Sequence, residues 1–146
     1  IDPRNAFIID SMLREVVRSG TGAAASQRLE RNDLAGKTGT TSDAVDGWFA
    51  GYAGNVVAVS WMGHDQPRSL GGREFGATLA LPIWIDYMRQ ALSGKPTSER
   101  EPPPGVAFID GDWLYDEFKG DDGIRTLDMD VPSVPLDSLP QSPAPD

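Results

Sequence analysis

Two apolar runs, 47–53 and 55–62, are separated by little more than Gly54-Asn55, and no other feature constrains the fold of this chain as strongly. Trp48, Phe49 and Tyr52 populate the first run, while Val57, Val59 and Trp61 alternate with smaller residues in the second. Both compositions suit strands. A turn-forming pair between two such runs predicts an antiparallel hairpin. A third strand over 35–40 is expected to join it through the 41–46 turn.

Upstream, Ala6, Ile9, Leu13, Val16 and Val17 recur at three- and four-residue steps, and Ile8 and Met12 widen the stripe. That spacing predicts an amphipathic helix over 5–18. Gly20-Thr21-Gly22 is expected to end it with positive-φ residues, and 23–33 reads as a polar connection. After a Gly-rich loop, Leu81, Ile85, Met88 and Leu92, with Trp84 beside them, predict a second helix over 78–92. Pro82 belongs near its first turn, where a missing N–H is harmless. The fold class is therefore α+β, an antiparallel sheet packed by an N-terminal helix and a later one.

The net charge of -9 is unevenly distributed. Residues 101–146 hold eleven Asp and Glu against two Lys and Arg, whereas 1–100 hold eleven of each. A neutral body with an acidic tail offers no basic surface for nucleic acid or an anionic membrane. Eight of the twelve prolines also follow residue 100. The division expected is a globular part over 1–93, a Pro-rich linker with a short hairpin over 94–119, and an acidic, disordered tail over 120–146. With no cysteine, disulfides, thiolate metal sites and thiol nucleophiles are excluded. No apolar run reaches the roughly 20 residues of a membrane span. The start, Ile1-Asp2-Pro3-Arg4, has neither an initiator Met nor a signal pattern, so the chain is expected to be a piece of something longer.

Gly36-Lys37-Thr38 suggests a phosphate-binding loop, but that motif needs a Gly where this chain has Arg31. Lys37-Thr38-Gly39-Thr40 fits better as one wall of an acyl-transfer site. On a strand, Lys37 and Gly39 face one way and Thr38 and Thr40 the other, unless the edge twists and both reach the cleft rim. Gly39 leaves the edge bare for an extended peptide. The Thr40 N–H then suits half of an oxyanion hole, and Lys37 favours a substrate carboxylate.

The ordered set Asn5-Ala6-Phe7, Gly20-Thr21-Gly22, Leu34 to Thr41, Asp46 to Tyr52, Trp61 to Asp65 and Ala80 to Met88 resembles class A penicillin-binding proteins of the 1A type. It covers about two thirds of the chain and is specific as a set, whereas Lys-Thr-Gly alone is weak. The resemblance implies the C-terminal part of a serine β-lactamase/penicillin-binding transpeptidase fold. In that family a Ser attacks the D-Ala-D-Ala bond of a peptidoglycan stem peptide, and β-lactams trap the same Ser. It implies catalytic roles for Lys37 and the Thr40 N–H, and substrate binding by Lys37, Thr38, Gly39, Thr40 and Thr41. No cofactor and no metal are implied. The parent is expected to carry a glycosyltransferase and an N-terminal membrane anchor, and to work on the periplasmic face of the bacterial inner membrane.

The family's Ser-x-x-Lys and Ser-x-Asn motifs are absent from this chain. Both lie upstream of Lys-Thr-Gly in the family, so the rest of the transpeptidase domain is an expected partner and the chain alone is expected to be inactive. A binding or scaffold module presenting an acidic Pro-rich tail is the alternative. Asp43 and Asp46 are expected to cap their turn, His64 to sit on the surface, and Trp48, Phe49, Trp61 and Trp84 to be core. The 68–74 loop is expected either to line the cleft or to connect.

Overall fold

A computed structural model describes residues 1–72 and 76–119. The acidic tail over 120–146 and part of the 68–74 loop lie outside the described residues.

Helix α1 spans Pro3–Arg18, with Pro3 in its first turn and the Asp2 carboxylate accepting from the Arg4 N–H at 2.8 Å. Its buried residues are Phe7, Asp10 and Val17, whereas Ile9 and Met12 of the predicted stripe stand 55% and 60% exposed. The apolar surface of α1 is thus wider than the described chain covers. Asp10 is buried because it has partners. Tyr52 Oη donates to it at 2.7 Å, Arg14 Nε at 2.8 Å, and Arg100 lies at 3.5 Å.

Neither Gly20 nor Gly22 has the positive φ expected of it. Their glycines serve close approach instead. A Cβ on Gly20 would lie 3.0 Å from the Val16 backbone, and one on Gly22 3.3 Å from Val17. Residues 23–33 are not merely a connection, since helix α2 spans Ala23–Leu29. Three consecutive alanines have the propensity for it, and Ala25 is fully buried.

Strands β1 (Ala35–Thr40), β2 (Asp46–Ala53) and β3 (Val56–Gly63) form an antiparallel sheet in the order β1-β2-β3. Cross-strand partners share a face. Gly36 with Gly51 and Ala58, and Thr38 with Phe49 and Ser60, point to one side. Lys37 with Ala50 and Val59, and Gly39 with Trp48 and Trp61, point to the other.

Helix α3 (Ala80–Ala91) covers the first face with Trp84 and Ile85 fully buried. Phe49 meets Trp84 edge-on at 4.9 Å, a geometry that adds about 1 kcal/mol beyond simple burial. Gly51 makes room for the indole, since a Cβ there would lie 2.8 Å from Trp84 Cζ2. Trp84 Nε1 donates to the Ala58 carbonyl at 3.1 Å, and the Ser60 hydroxyl to Ala80 O at 2.7 Å.

Beyond α3 the backbone is pinned to the body. Arg31 donates to the carbonyls of Lys95 (2.8 Å) and Pro96 (3.0 Å), and buried Asp33 accepts from the Ser98 N–H at 3.0 Å. Burial pushes the Asp33 carboxyl up, but bonds from Arg31 and Ser98 outweigh it and hold its pKa below the ordinary value. Strands β4 (Val106–Ile109) and β5 (Asp112–Tyr115) form a hairpin seated on α1. Phe7 meets Trp113 edge-on at 4.8 Å, and the Arg4 guanidinium lies 4.8 Å over the Tyr115 ring while bonding Glu117.

Candidate active-site wall

Among the described residues the motif strand β1 pairs with another strand on one side only. Thr41 N–H donates to the Asp46 carbonyl at 3.2 Å, which continues the β1–β2 ladder one step past Thr40 and Gly47. Antiparallel partners alternate between bonded and non-bonded pairs, so the N–H and C=O of Thr40 and Thr38 point away from β2. No strand among the described residues occupies that side. Lys37 Nζ lies at the same edge, donating to the Thr38 carbonyl at 3.0 Å and to Thr38 Oγ1 at 3.3 Å. The lysine therefore curls from its own face onto the rim that Thr38 and Thr40 share.

The hydroxyls along this edge are individually anchored. Thr38 Oγ1 lies 3.1 Å from Thr21 Oγ1, in the loop between α1 and α2. Thr40 Oγ1 accepts from the Gly76 N–H at 3.1 Å. Thr41 differs from its neighbours, because its hydroxyl accepts from the Asp46 N–H at 2.8 Å and its own N–H is committed to the same residue. Lys37, Thr38, Gly39 and Thr40 line the free edge, and Thr41 closes the turn.

Behind Gly39 stands Trp48, whose Cβ would lie 3.3 Å from a Cβ on Gly39. Trp48 and Trp61 are 42% and 43% exposed, so two of the four aromatics expected in the core are not there. Strand alternation turns them to the face opposite α3, where their rings lean together at 6.0 Å. Asp46 does not cap its own turn with its side chain. Its carboxylate accepts from Trp61 Nε1 at 2.8 Å and ties β2 to β3. His64 stands near the end of β3 with Nδ1 at 3.3 Å from an Arg68 nitrogen.

Two residues of this constellation carry no sequence signal of their role. Thr21 reads as part of a glycine turn, and Gly76 as part of a Gly-rich loop. A groove of about 1150 Å³ between α1 and the β4–β5 hairpin, lined by Met12, Leu34, Phe108 and Trp113 among others, touches none of Lys37 to Thr41. Among the described residues no helix is long and apolar enough to cross a membrane, and no cluster of three His, Cys, Asp or Glu is arranged to hold a metal.

Residues 1–84 match the family model described as the penicillin binding protein transpeptidase domain. Penicillin-binding protein 1A of Pseudomonas aeruginosa is 44% identical over 159 aligned residues, covering 100% of this chain and 19% of that protein. The protein of the same name from Neisseria lactamica is 44% identical over 88% of this chain and 16% of its own length. The crystal structure of penicillin-binding protein 1A from Haemophilus influenzae superposes with a TM-score of 0.67 at 38% identity, covering 71% of this chain and 17% of that one. The chain thus spans less than a fifth of the length of these relatives.

Proposed function

This chain belongs to the penicillin-binding protein transpeptidase family, and on that premise we propose that it supplies the Lys-Thr-Gly-Thr wall of a serine D,D-transpeptidase site. The single observation that carries the reading is the free edge of β1, along which Lys37 Nζ, the Thr38 hydroxyl and the outward N–H of Thr40 are aligned. In this reading a stem peptide ending in D-Ala-D-Ala, or a β-lactam in its place, lies along that edge as an added strand. Its carboxylate meets Lys37 and Thr38. Its scissile carbonyl oxygen receives the Thr40 N–H, a contact whose loss typically costs about 3 kcal/mol of barrier. Gly39 keeps the edge clear, and Thr41 holds the end of the strand against Asp46.

The nucleophile and its base belong to an upstream part of the same domain, which completes the site and covers apolar surface left bare here. Ile9 and Met12 on α1, and Val57 and Val59 on the outer strand β3, are all more than half exposed. Such a surface suits an incomplete domain better than a self-sufficient binding module. Residues 1–93 are the transpeptidase portion in this scheme, and the parent works in the bacterial envelope as a peptidoglycan cross-linking enzyme.

Fluorescent penicillin tests the assignment. It should label the whole protein and leave residues 1–146 alone unlabelled, and Lys37→Ala in the whole protein should slow labelling by at least about 100-fold. The same substitution should shift stability by less than about 0.5 kcal/mol, because Lys37 is exposed. Labelling at the normal rate in Lys37→Ala would remove this strand from the site.

A further inference from the structure

Among the described residues the Thr38 hydroxyl has two hydrogen-bond neighbours, and their chemistry is unequal. An ammonium group has three donors and no acceptor, so in the contact between Lys37 Nζ and Thr38 Oγ1 the threonine oxygen accepts. That leaves the single Thr38 proton to be directed. The other partner among the described residues is the Thr21 hydroxyl, at 3.1 Å. We propose that Thr21 is a positioning residue for this site, acting through Thr38 as a reversible hydrogen-bond partner; the inference rests on the functional reading above.

With the edge empty, Lys37 donates to Thr38 and Thr38 donates to Thr21. When a carboxylate arrives at the edge, the Thr38 proton turns toward it and Thr21 turns its own proton back to Thr38 Oγ1. A hydroxyl carries one proton and two lone pairs, so Thr38 then has all three satisfied, by the carboxylate, Lys37 and Thr21. Both protons stay on their own oxygens. The exchange requires two rotations and no movement of heavy atoms, so it costs little reorganisation.

The loop that carries Thr21 is built to hold it still. Gly22 N–H donates to Val16 O at 3.0 Å and Ala23 N–H to Gly20 O at 3.1 Å, which folds the loop back on the last turn of α1. Gly20 and Gly22 flank the threonine and lie against Val16 and Val17 more closely than a side chain would comfortably permit. The hydroxyl is thus fixed across 17 residues of sequence from the strand it serves.

The test is the acylation rate constant of the whole protein with fluorescent penicillin, measured for Thr21→Val, Thr21→Ser and Lys37→Ala. Valine keeps the shape and removes the hydroxyl, whereas serine keeps the hydroxyl and removes the methyl. Thr21→Val should slow acylation about 3- to 10-fold, the range expected for one net hydrogen bond. Thr21→Ser should restore the wild-type rate within about twofold. A wild-type rate in Thr21→Val overturns the proposal, and so does an equal loss in both Thr21 variants, since that would reflect packing by the methyl group. If Lys37→Ala is slow while Thr21→Val is normal, only the role of Thr21 falls. A normal rate in Lys37→Ala removes the site itself.

Discussion

Gly76 rests directly on the backbone of Gly39: a Cβ at position 76 would fall 2.6 Å from the Gly39 carbonyl oxygen and 2.4 Å from that of Trp48. The Gly76 carbonyl in turn accepts from the N–H groups of Ala80 and Leu81, at 3.1 and 2.9 Å. One residue therefore joins the start of α3 to the motif strand. Both obstructing atoms belong to paired backbone, which yields less readily than a flexible side chain. Gly76→Ala is expected to cost about 2 kcal/mol, within the range for overpacking, and to slow penicillin acylation by displacing β1. Thermal denaturation and labelling of the whole protein check it; an unchanged midpoint would mean that α3 does not seat on the strand this closely.

The clasp of Arg31, Asp33 and Ser98 carries a pH dependence of definite sign. Its carboxyl titrates below the ordinary 3.8, so its contribution to stability is complete above that value and is lost as pH falls through the lower, folded one. Asp33→Asn is expected to cost about 3 kcal/mol at pH 7, since it leaves the Arg31 guanidinium without its buried partner. The penalty should shrink toward pH 2. Denaturant midpoints of the variant and the wild type at the two pH values measure it.

Tyr52 behaves in the opposite sense. Burial, followed by its bond to Asp10, raises its phenol from 10.0 to about 12. A raised pKa stabilises the fold fully below pH 10 and ceases to do so as pH climbs through the folded value. Alkaline titration followed by phenolate absorbance should therefore contain one late component. That component should vanish in Tyr52→Phe, and its persistence there would assign it to another tyrosine.

The three strands of the sheet were legible because each carries a pattern of its own. Val57, Val59 and Trp61 alternate, and Gly54 takes positive φ in the turn before them. Helix α2 was not legible, because seven residues are too few to display a helical period. Trp48 and Trp84 look alike in sequence. Only the pairing of Trp48 with Gly39, on the face away from α3, separates an exposed ring from a buried one. The glycines at 20 and 22 announced a turn correctly and its physics wrongly, since tight packing on Val16 and not φ requires them. The Lys37 to Thr40 edge was visible as a motif. Its anchors at Thr21 and Gly76 were not, because contacts between distant loops leave no local periodicity.

The placement of Trp48 gives the protein an optical probe of its own. Four tryptophans are present, and Trp84 is 1% exposed whereas Trp48 is 42% exposed and flanks Gly39. Emission from the buried indole reports the integrity of the sheet-and-helix core. Emission from the exposed pair, Trp48 and its neighbour Trp61, is open to a soluble quencher on the sheet face beside Gly39. The core and the outer sheet face thus carry different indoles, which a soluble quencher tells apart with no label attached.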